Sequence, residues 1–375
     1  MAEILFVTWD GGGNVPPALG IADALTARGH TVRFVGHPGQ RPALEAAGVE
    51  AAGVEVAPSR HARAFSALDT NSPLALVSMF GDRGLGRDAV DALADRDADV
   101  VVVDCLLFGV MDELTRAGRP YVVLEHLYDA YLTGGWMKGP MGWGMRLKRL
   151  RPTRALESAR LRLVTSVPSL DPASGRSGLT YVGPVSPVAC AVALPTDADP
   201  IVLVSLSTYR FSRMTQCLQA ILDACAELDV HVVATTGPVV DPGDLDVPAN
   251  AEVQRFVPHV DLMPQASLVI GHGGHGTTMQ ALAHDLPLVL MPMHPMLDQP
   301  LVARSVEAAG AGRVVRKKAT ADELRPVIAE LLGDGPHRAA AARLGAEIRA
   351  LPGASGAAAR IEELVANGAV AAPRT

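Results

Sequence analysis

The chain lacks any apolar run of the roughly 18 residues that a bilayer-spanning helix needs, so no segment reads as membrane-crossing. It also lacks a surplus of positive charge: 33 Lys and Arg stand against 40 Asp and Glu, a net charge of −7. Proteins built to hold nucleic acid usually show a basic face, and that class is set aside. Cysteine is scarce. Cys105, Cys190, Cys217 and Cys225 form no CxxC pair and no metal-ligand spacing. That excludes a disulfide framework and predicts reduced thiols in a cytoplasmic protein. Aromatics are few, at 4%, which suits layers packed through small residues. The start, MAEILFVTWDGGG, has no basic leader and only a short apolar run. It predicts a first strand and not a signal peptide.

What is present is a 375-residue chain, 49% hydrophobic and 19% charged. A sizeable core follows, and at roughly 100–200 residues per domain two domains are expected. Ile4–Thr8 is rich in strand formers, Asp10–Asn14 is a glycine turn, and Pro16-Pro17 opens a helical stretch ending at Gly29. HTVRFVG, VEVAP, ADVVVVDC and RPYVVLEH continue the rhythm. Runs apolar on both faces are those of central parallel strands, and strands alternating with helices imply βαβ units. The echo EAAGV-EAAGV-E at Glu45–Glu55 is a local slip, too short for a repeat architecture. Gly134–Thr153 breaks the rhythm with Gly, Met and Trp, then turns basic through Arg146, Lys148, Arg149, Arg151 and Arg154. A long loop is expected at Trp136–Met145, and the basic run reads as a solvated helix face. Pro184–Pro200 reads as a linker. IVLVSLS, HVVATTG, SLVIGHGG and LPLVLMP start a second α/β set. The expected division is 1–190, 191–354, and a last helical segment 355–375.

Two glycine turns carry the chemistry. In SLVIGHGGHGTTMQ a buried strand ends in Gly273, Gly274 and Gly276, and a helix begins at Thr277. Free backbone amides plus the helix dipole make a cradle for an anion, a diphosphate above all, with His272 placed to donate to a phosphate oxygen. The segment formally matches GxGxxG, yet that fingerprint belongs on a first strand with an acid ending the next. Here the next strand ends Met291-Pro292-Met293. The turn Gly11–Asn14 fails the same test, because Pro16 stands at the third glycine position. It still sets Asn14 at the C-terminal edge of a sheet, where open α/β folds hold ligands. His272 and His275 sit on a glycine turn and not on a helix face, so no metal site is expected.

Taken together, the GxxxP turn, DCLLF around Asp104, YVGPV at Tyr181–Val185, Phe256-Val257-Pro258-His259, HGGHGTT and Asp298-Gln299 resemble the family 1 glycosyltransferases of GT-B fold. The best subgroup is the bacterial enzymes that glycosylate natural products, such as antibiotics of the macrolide type. The resemblance spans nearly the whole chain. It implies two Rossmann-like domains facing across a cleft, with a C-terminal helix crossing back to the N-terminal domain. It implies inverting transfer from a UDP- or dTDP-sugar to a small, largely apolar acceptor, with no cofactor or metal, and it leaves a homodimer open.

Residue roles come from the same resemblance. Phe256 stacks on the nucleobase and the Val257 backbone reads its edge. His272, with the amides of Gly273, Gly274, Gly276 and Thr277, holds the diphosphate, and Ser207 lies nearby. Gln280 falls at the ribose contact, and Asp298 and Gln299 bind sugar hydroxyls. Trp136, Met137 and Met141 are expected to line an apolar acceptor cleft. One departure matters. Relatives carry His, sometimes Asp, where this chain has Asn14, and a carboxamide has no basic lone pair at neutral pH. Asn14 is left to orient the acceptor. Asp104, which matches the carboxylate supporting that His, is then a base directly or through water, with Asp10 a second candidate. Two alternatives stay open: a sugar-nucleotide epimerase or hydrolase on the same fold, and a catalytically impaired activator protein, for which Asn14 is the support.

Overall fold

The computed structural model describes residues 1–40, 44, 55–65, 72–185 and 199–368. The echo at 45–54, most of the linker (186–198) and the boundary at 190/191 lie outside the described residues. The chain divides into two compact units, Met1–Val185 with Leu351–Thr375, and Ser186–Ala350.

The first unit is built on a seven-stranded sheet: β1 (Glu3–Val7), β2 (Thr31–Val35), β3 (Glu55–Val56), β4 (Val100–Asp104), β5 (Tyr121–Glu125), β6 (Leu161–Val164) and β7 (Leu179–Tyr181). All pairings are parallel, in the order β3-β2-β1-β4-β5-β6-β7. The central strands β1, β4 and β5 are almost wholly apolar because both faces are covered. Ile4, Phe6, Val100 and Val102 face one core, shared with helices Val15–Ala27 and Gly353–Ala366. Leu5, Val7, Val101 and Val103 face the other, under helices Arg83–Asp95 and Phe108–Arg116.

The helix Gly353–Ala366 belongs to this first unit although it ends the chain. Ala357, Ala358 and Ile361 are buried against the sheet's first helix. Its edge is tied by Arg28 to Glu362 (2.7 Å) and by His30 to the same carboxylate (2.8 Å).

The second unit holds β8 (Ile201–Ser205), β9 (His231–Thr235), β10 (Ala251–Gln254), β11 (Ala266–Gly271), β12 (Leu288–Leu290) and β13 (Gly312–Val314). The order is β10-β9-β8-β11-β12-β13, again all parallel. Val202, Val204, Leu268 and Ile270 pack beneath helices Met214–Cys225 and Ala321–Leu332.

Trp136–Met145 is not the long loop its composition predicts. Tyr131–Trp136 winds as a π-helix, followed by the α-helix Pro140–Leu147; a short helix, Pro152–Glu157, comes next. Alternate turns bring Trp136, Met137, Met141 and Met145 inward. No helix among the described residues is long and apolar enough to cross a membrane.

Candidate active site

Each sheet reverses its strand order once. In the first unit β1 runs out to β2 and β3 on one side, while β4 to β7 extend on the other. The chain ends leaving β1 and β4 therefore diverge, and a crevice opens at their carboxyl edge. Asn14 is delivered there by the turn after β1, and Asp104 is the last residue of β4.

Asn14 is buried, and its carboxamide is fully engaged. Its Oδ1 accepts the Gly11 amide at 3.0 Å, while its Nδ2 donates to the Trp9 carbonyl at 2.8 Å and to Asp104 Oδ2 at 2.9 Å. The side chain thus locks the glycine turn onto the neighbouring strand, a positioning role and not a basic one. Asp104 is held from its other oxygen as well, where Oδ1 accepts the Leu106 amide at 3.0 Å. Asp10 is half-buried and outside this set of bonds.

A third residue joins the edge that the sequence reading passed over. β5 pairs with β4 in register, Asp104 opposite Leu124. His126, two residues further on, leaves the sheet beside Asp104. Its Nε2 lies 3.4 Å from Asp104 Oδ2, and its side chain is 9% exposed. Burial lowers the imidazole below its usual range, and the nearby Asp104 charge opposes that shift. Only the topology reveals it: in sequence His126 is 22 residues from Asp104, at the end of a run read simply as a strand.

The expected acceptor-lining residues go elsewhere. Trp136, Met137 and Met141 are 4%, 4% and 7% exposed. The Trp136 ring packs on Phe108 at 5.1 Å and Phe80 at 6.1 Å between centroids. They are core side chains here, because helical winding turns them toward Phe80 and Phe108. Trp143 and Leu147, from the same stretch, are the exposed ones. Arg146, Arg149, Arg151 and Arg154 line an open depression of about 700 Å³.

The second unit repeats the crevice between β8 and β11, where Gly271 pairs with Ser205. His272 follows β11, and Gly274 caps the helix His275–Ala283 with no side-chain hydrogen bond. A helix begins with amides that have no intrahelical partner, here including those of Gly276 and Thr277. Gly273 has φ +78°, and a Cβ on it would meet the Gln299 carbonyl at 3.0 Å. On Gly274 a Cβ would meet His272 Nε2 at 2.5 Å, while on Gly276 it would meet nothing within 4 Å. The turn is therefore closed by protein at two glycines and open at the third.

His272 is half-buried, and desolvation pushes its imidazole down to about 4; the Ser205 backbone partly offsets this and His259 adds to it. Its Nδ1 is buried with no hydrogen-bond partner. A neutral imidazole with an unspent buried nitrogen beside open helix amides has the chemistry of an anion site. Asp298 starts the helix Gln299–Ala308. Burial raises its carboxyl to about 6, against the backbone amides of Asp298 and Gln299.

Gln299 departs from its expected role in part. Its Oε1 accepts the amides of Met293 at 2.8 Å and His294 at 3.1 Å, leaving only its NH2 to meet a ligand. Ser207 Oγ likewise accepts its own loop's Tyr209 amide at 2.9 Å. Gln280 and Thr277 are half-buried on the helix that starts at the cradle. Phe256 is 76% exposed, an aromatic ring left bare at the edge beyond β10, next to the half-buried Val257.

The comparisons with known proteins agree with this layout. Residues 219–364 match the family profile described as erythromycin biosynthesis protein CIII-like, C-terminal domain. Residues 12–178 match a glycosyl transferase 4-like domain. The 4'-demethylrebeccamycin synthase of Lentzea aerocolonigenes is 28% identical over 97% of this chain and 100% of its own. The demethyllactenocin mycarosyltransferase of Streptomyces fradiae is 27% identical, covering 97% of this chain and 87% of its own. Among solved structures, the glycotransferase of kitacinnamycin superposes with a TM-score of 0.79 at 25% identity, covering 97% of this chain and 99% of its own. CalG4, the calicheamicin glycosyltransferase, gives the same TM-score and identity over 98% of both chains. Two parallel α/β units with these relatives identify the chain as a glycosyltransferase of GT-B fold, similar to the natural-product glycosyltransferases.

Proposed function

We propose that the chain transfers a sugar, with inversion at the anomeric carbon, from a UDP- or dTDP-sugar to a small, largely apolar natural-product acceptor. The observation that carries the donor half is the cradle after β11: an uncapped helix N-terminus, an open Gly276 and a neutral His272 with a buried unpartnered nitrogen. As the anomeric bond breaks, negative charge grows on the departing diphosphate. Fixed amides and the helix dipole stabilise that charge without reorganising, and the chemistry calls for no metal. Phe256 offers its bare ring to the nucleobase, and Asp298 accepts hydrogen bonds from sugar hydroxyls. The acceptor belongs to the first unit, at the edge where Asn14 and Asp104 meet.

The test pairs UDP- and dTDP-sugars with polyphenol and polyketide acceptors, read by mass spectrometry, with wild type and Asp104→Asn side by side. A glycosylated product of inverted configuration is expected, undiminished by EDTA and strongly reduced in the variant. Donor consumed equally well with no acceptor present would point to an epimerase or hydrolase instead. No binding of UDP or dTDP would refute the donor site.

A further inference from the structure

Resting on the transferase reading above, we propose that His126 is the catalytic base that takes the acceptor's proton, with Asp104 and Asn14 as its positioning residues. The turn after β1 offers no imidazole, and the carboxamide there is spent on Gly11, Trp9 and Asp104. The carboxylate, by contrast, is fixed on both oxygens, by the Leu106 amide and by Asn14. His126 is the imidazole at the crevice edge, 3.4 Å from the oxygen that Asn14 already holds. Its Nε2 is buried and makes no hydrogen bond, and the Asp104 carboxylate is the charge beside it. With the proton on Nε2, next to Asp104, the lone pair is on Nδ1.

The step balances simply. The acceptor hydroxyl gives its proton to His126 Nδ1 as its oxygen bonds to the anomeric carbon. The bond from that carbon to the diphosphate oxygen breaks, and its electron pair leaves with the nucleoside diphosphate. The imidazolium formed is stabilised by Asp104 and later returns the proton to water. Burial keeps the imidazole neutral and ready to accept. The other titratable groups around it do not compete. The Cys105 thiol is held far up by burial and bonds the His126 backbone. Glu125 is turned to Arg162, whose Nε lies 2.6 Å from its Oε1.

The experiment measures steady-state transfer by wild type, His126→Gln, His126→Gly and Asp104→Asn to two acceptors, an aliphatic alcohol and an acidic phenol. UDP and dTDP affinity and thermal melting are recorded for each. His126→Gln should lower kcat toward the alcohol about 10²–10⁴-fold, the usual worth of a general base, and much less toward the phenol. Nucleotide affinity and melting should stay as in wild type. The acid limb of the pH profile should vanish, and added imidazole should partly restore His126→Gly. A His126→Gln enzyme as fast as wild type toward the alcohol overturns the proposal. So does equal loss toward both acceptors with no rescue by imidazole. A wild type that binds neither nucleotide and forms no product refutes the transferase reading itself, a different outcome from either.

Discussion

In the donor site proposed above, protonation of Asp298 and sugar binding would draw on the same oxygens. Burial raises this carboxyl to about 6, so above that pH it is a carboxylate able to accept hydrogen bonds and below it largely a neutral acid. Donor KM should therefore rise as pH falls through about 6, measured as initial rates against donor concentration. In Asp298→Asn the same curve should be flat. His272 does not blur this reading, because burial holds it neutral down to about 4. The same depression affects stability. Between the unfolded value near 6.5 and about 4, the unfolded chain binds a proton that the folded chain refuses. The contribution of His272 is thus present above pH 6.5 and lost as pH falls toward 4. Asn14 acts differently. Asn14→Ala would leave the half-buried Gly11 amide with the Trp9 carbonyl alone and take one hydrogen bond from the buried Asp104 carboxylate, a loss of about 1–3 kcal/mol. A lower melting temperature should report it. Sequence could say that Asn14 is no base, since that follows from what a carboxamide is. It could not say that Asn14 is a strap, nor that His126 stands beside Asp104. Both are facts of strand order, and His126 and Asp104 share an edge only because β5 pairs with β4.

Among the elements, the glycine turn after β11 was the most legible, because a buried strand ending in glycines before a helix is written in the local sequence and needs no partner to be recognised. Its three glycines are nonetheless not equivalent, which the sequence hides. Gly273 takes a left-handed φ of +78°, and an added Cβ would press on the Gln299 carbonyl. Gly273→Ala should lower both melting temperature and nucleotide affinity, with about 1–2 kcal/mol from the backbone conformation. Gly276 sits in the helix with open space before it. Gly276→Ala should hold or slightly raise stability, as Ala is the better helix former by about 1 kcal/mol. It should still weaken UDP or dTDP binding markedly by calorimetry, because the methyl group stands where phosphate oxygens would approach. Equal affinity in that variant would move the diphosphate away from the helix N-terminus. The stretch from Gly134 was least legible. Its Gly and Pro content reads as loop, yet Trp136, Met137 and Met141 gain more by packing on Phe80 and Phe108 than by lining a wet surface.

For the molecule as a whole, the alternation of strands and helices was enough to foresee two α/β units, since strands buried on both faces leave a run of Val, Ile and Leu. The place of the last helix was foreseeable from the family resemblance alone. Ile361 is fully buried among Ala357, Ala358 and the first helix. Ile361→Ala should therefore cost about 2–5 kcal/mol in the first unit's unfolding, while UDP or dTDP affinity, proposed above for Ser186–Ala350, should stay unchanged. Calorimetry of the variant with and without nucleotide would separate the two.

The return of the chain to its first unit also makes the second unit an insertion, entered after Val185 and left before Leu351. With the donor site proposed there, exchange of sugar specificity between relatives becomes a matter of cassettes. A chimera joined once, near the middle, would carry a foreign terminal helix onto the native Arg28, His30 and Val15–Ala27 surface. A chimera joined twice, replacing 186–350 alone, keeps every contact of the acceptor half with its own sequence.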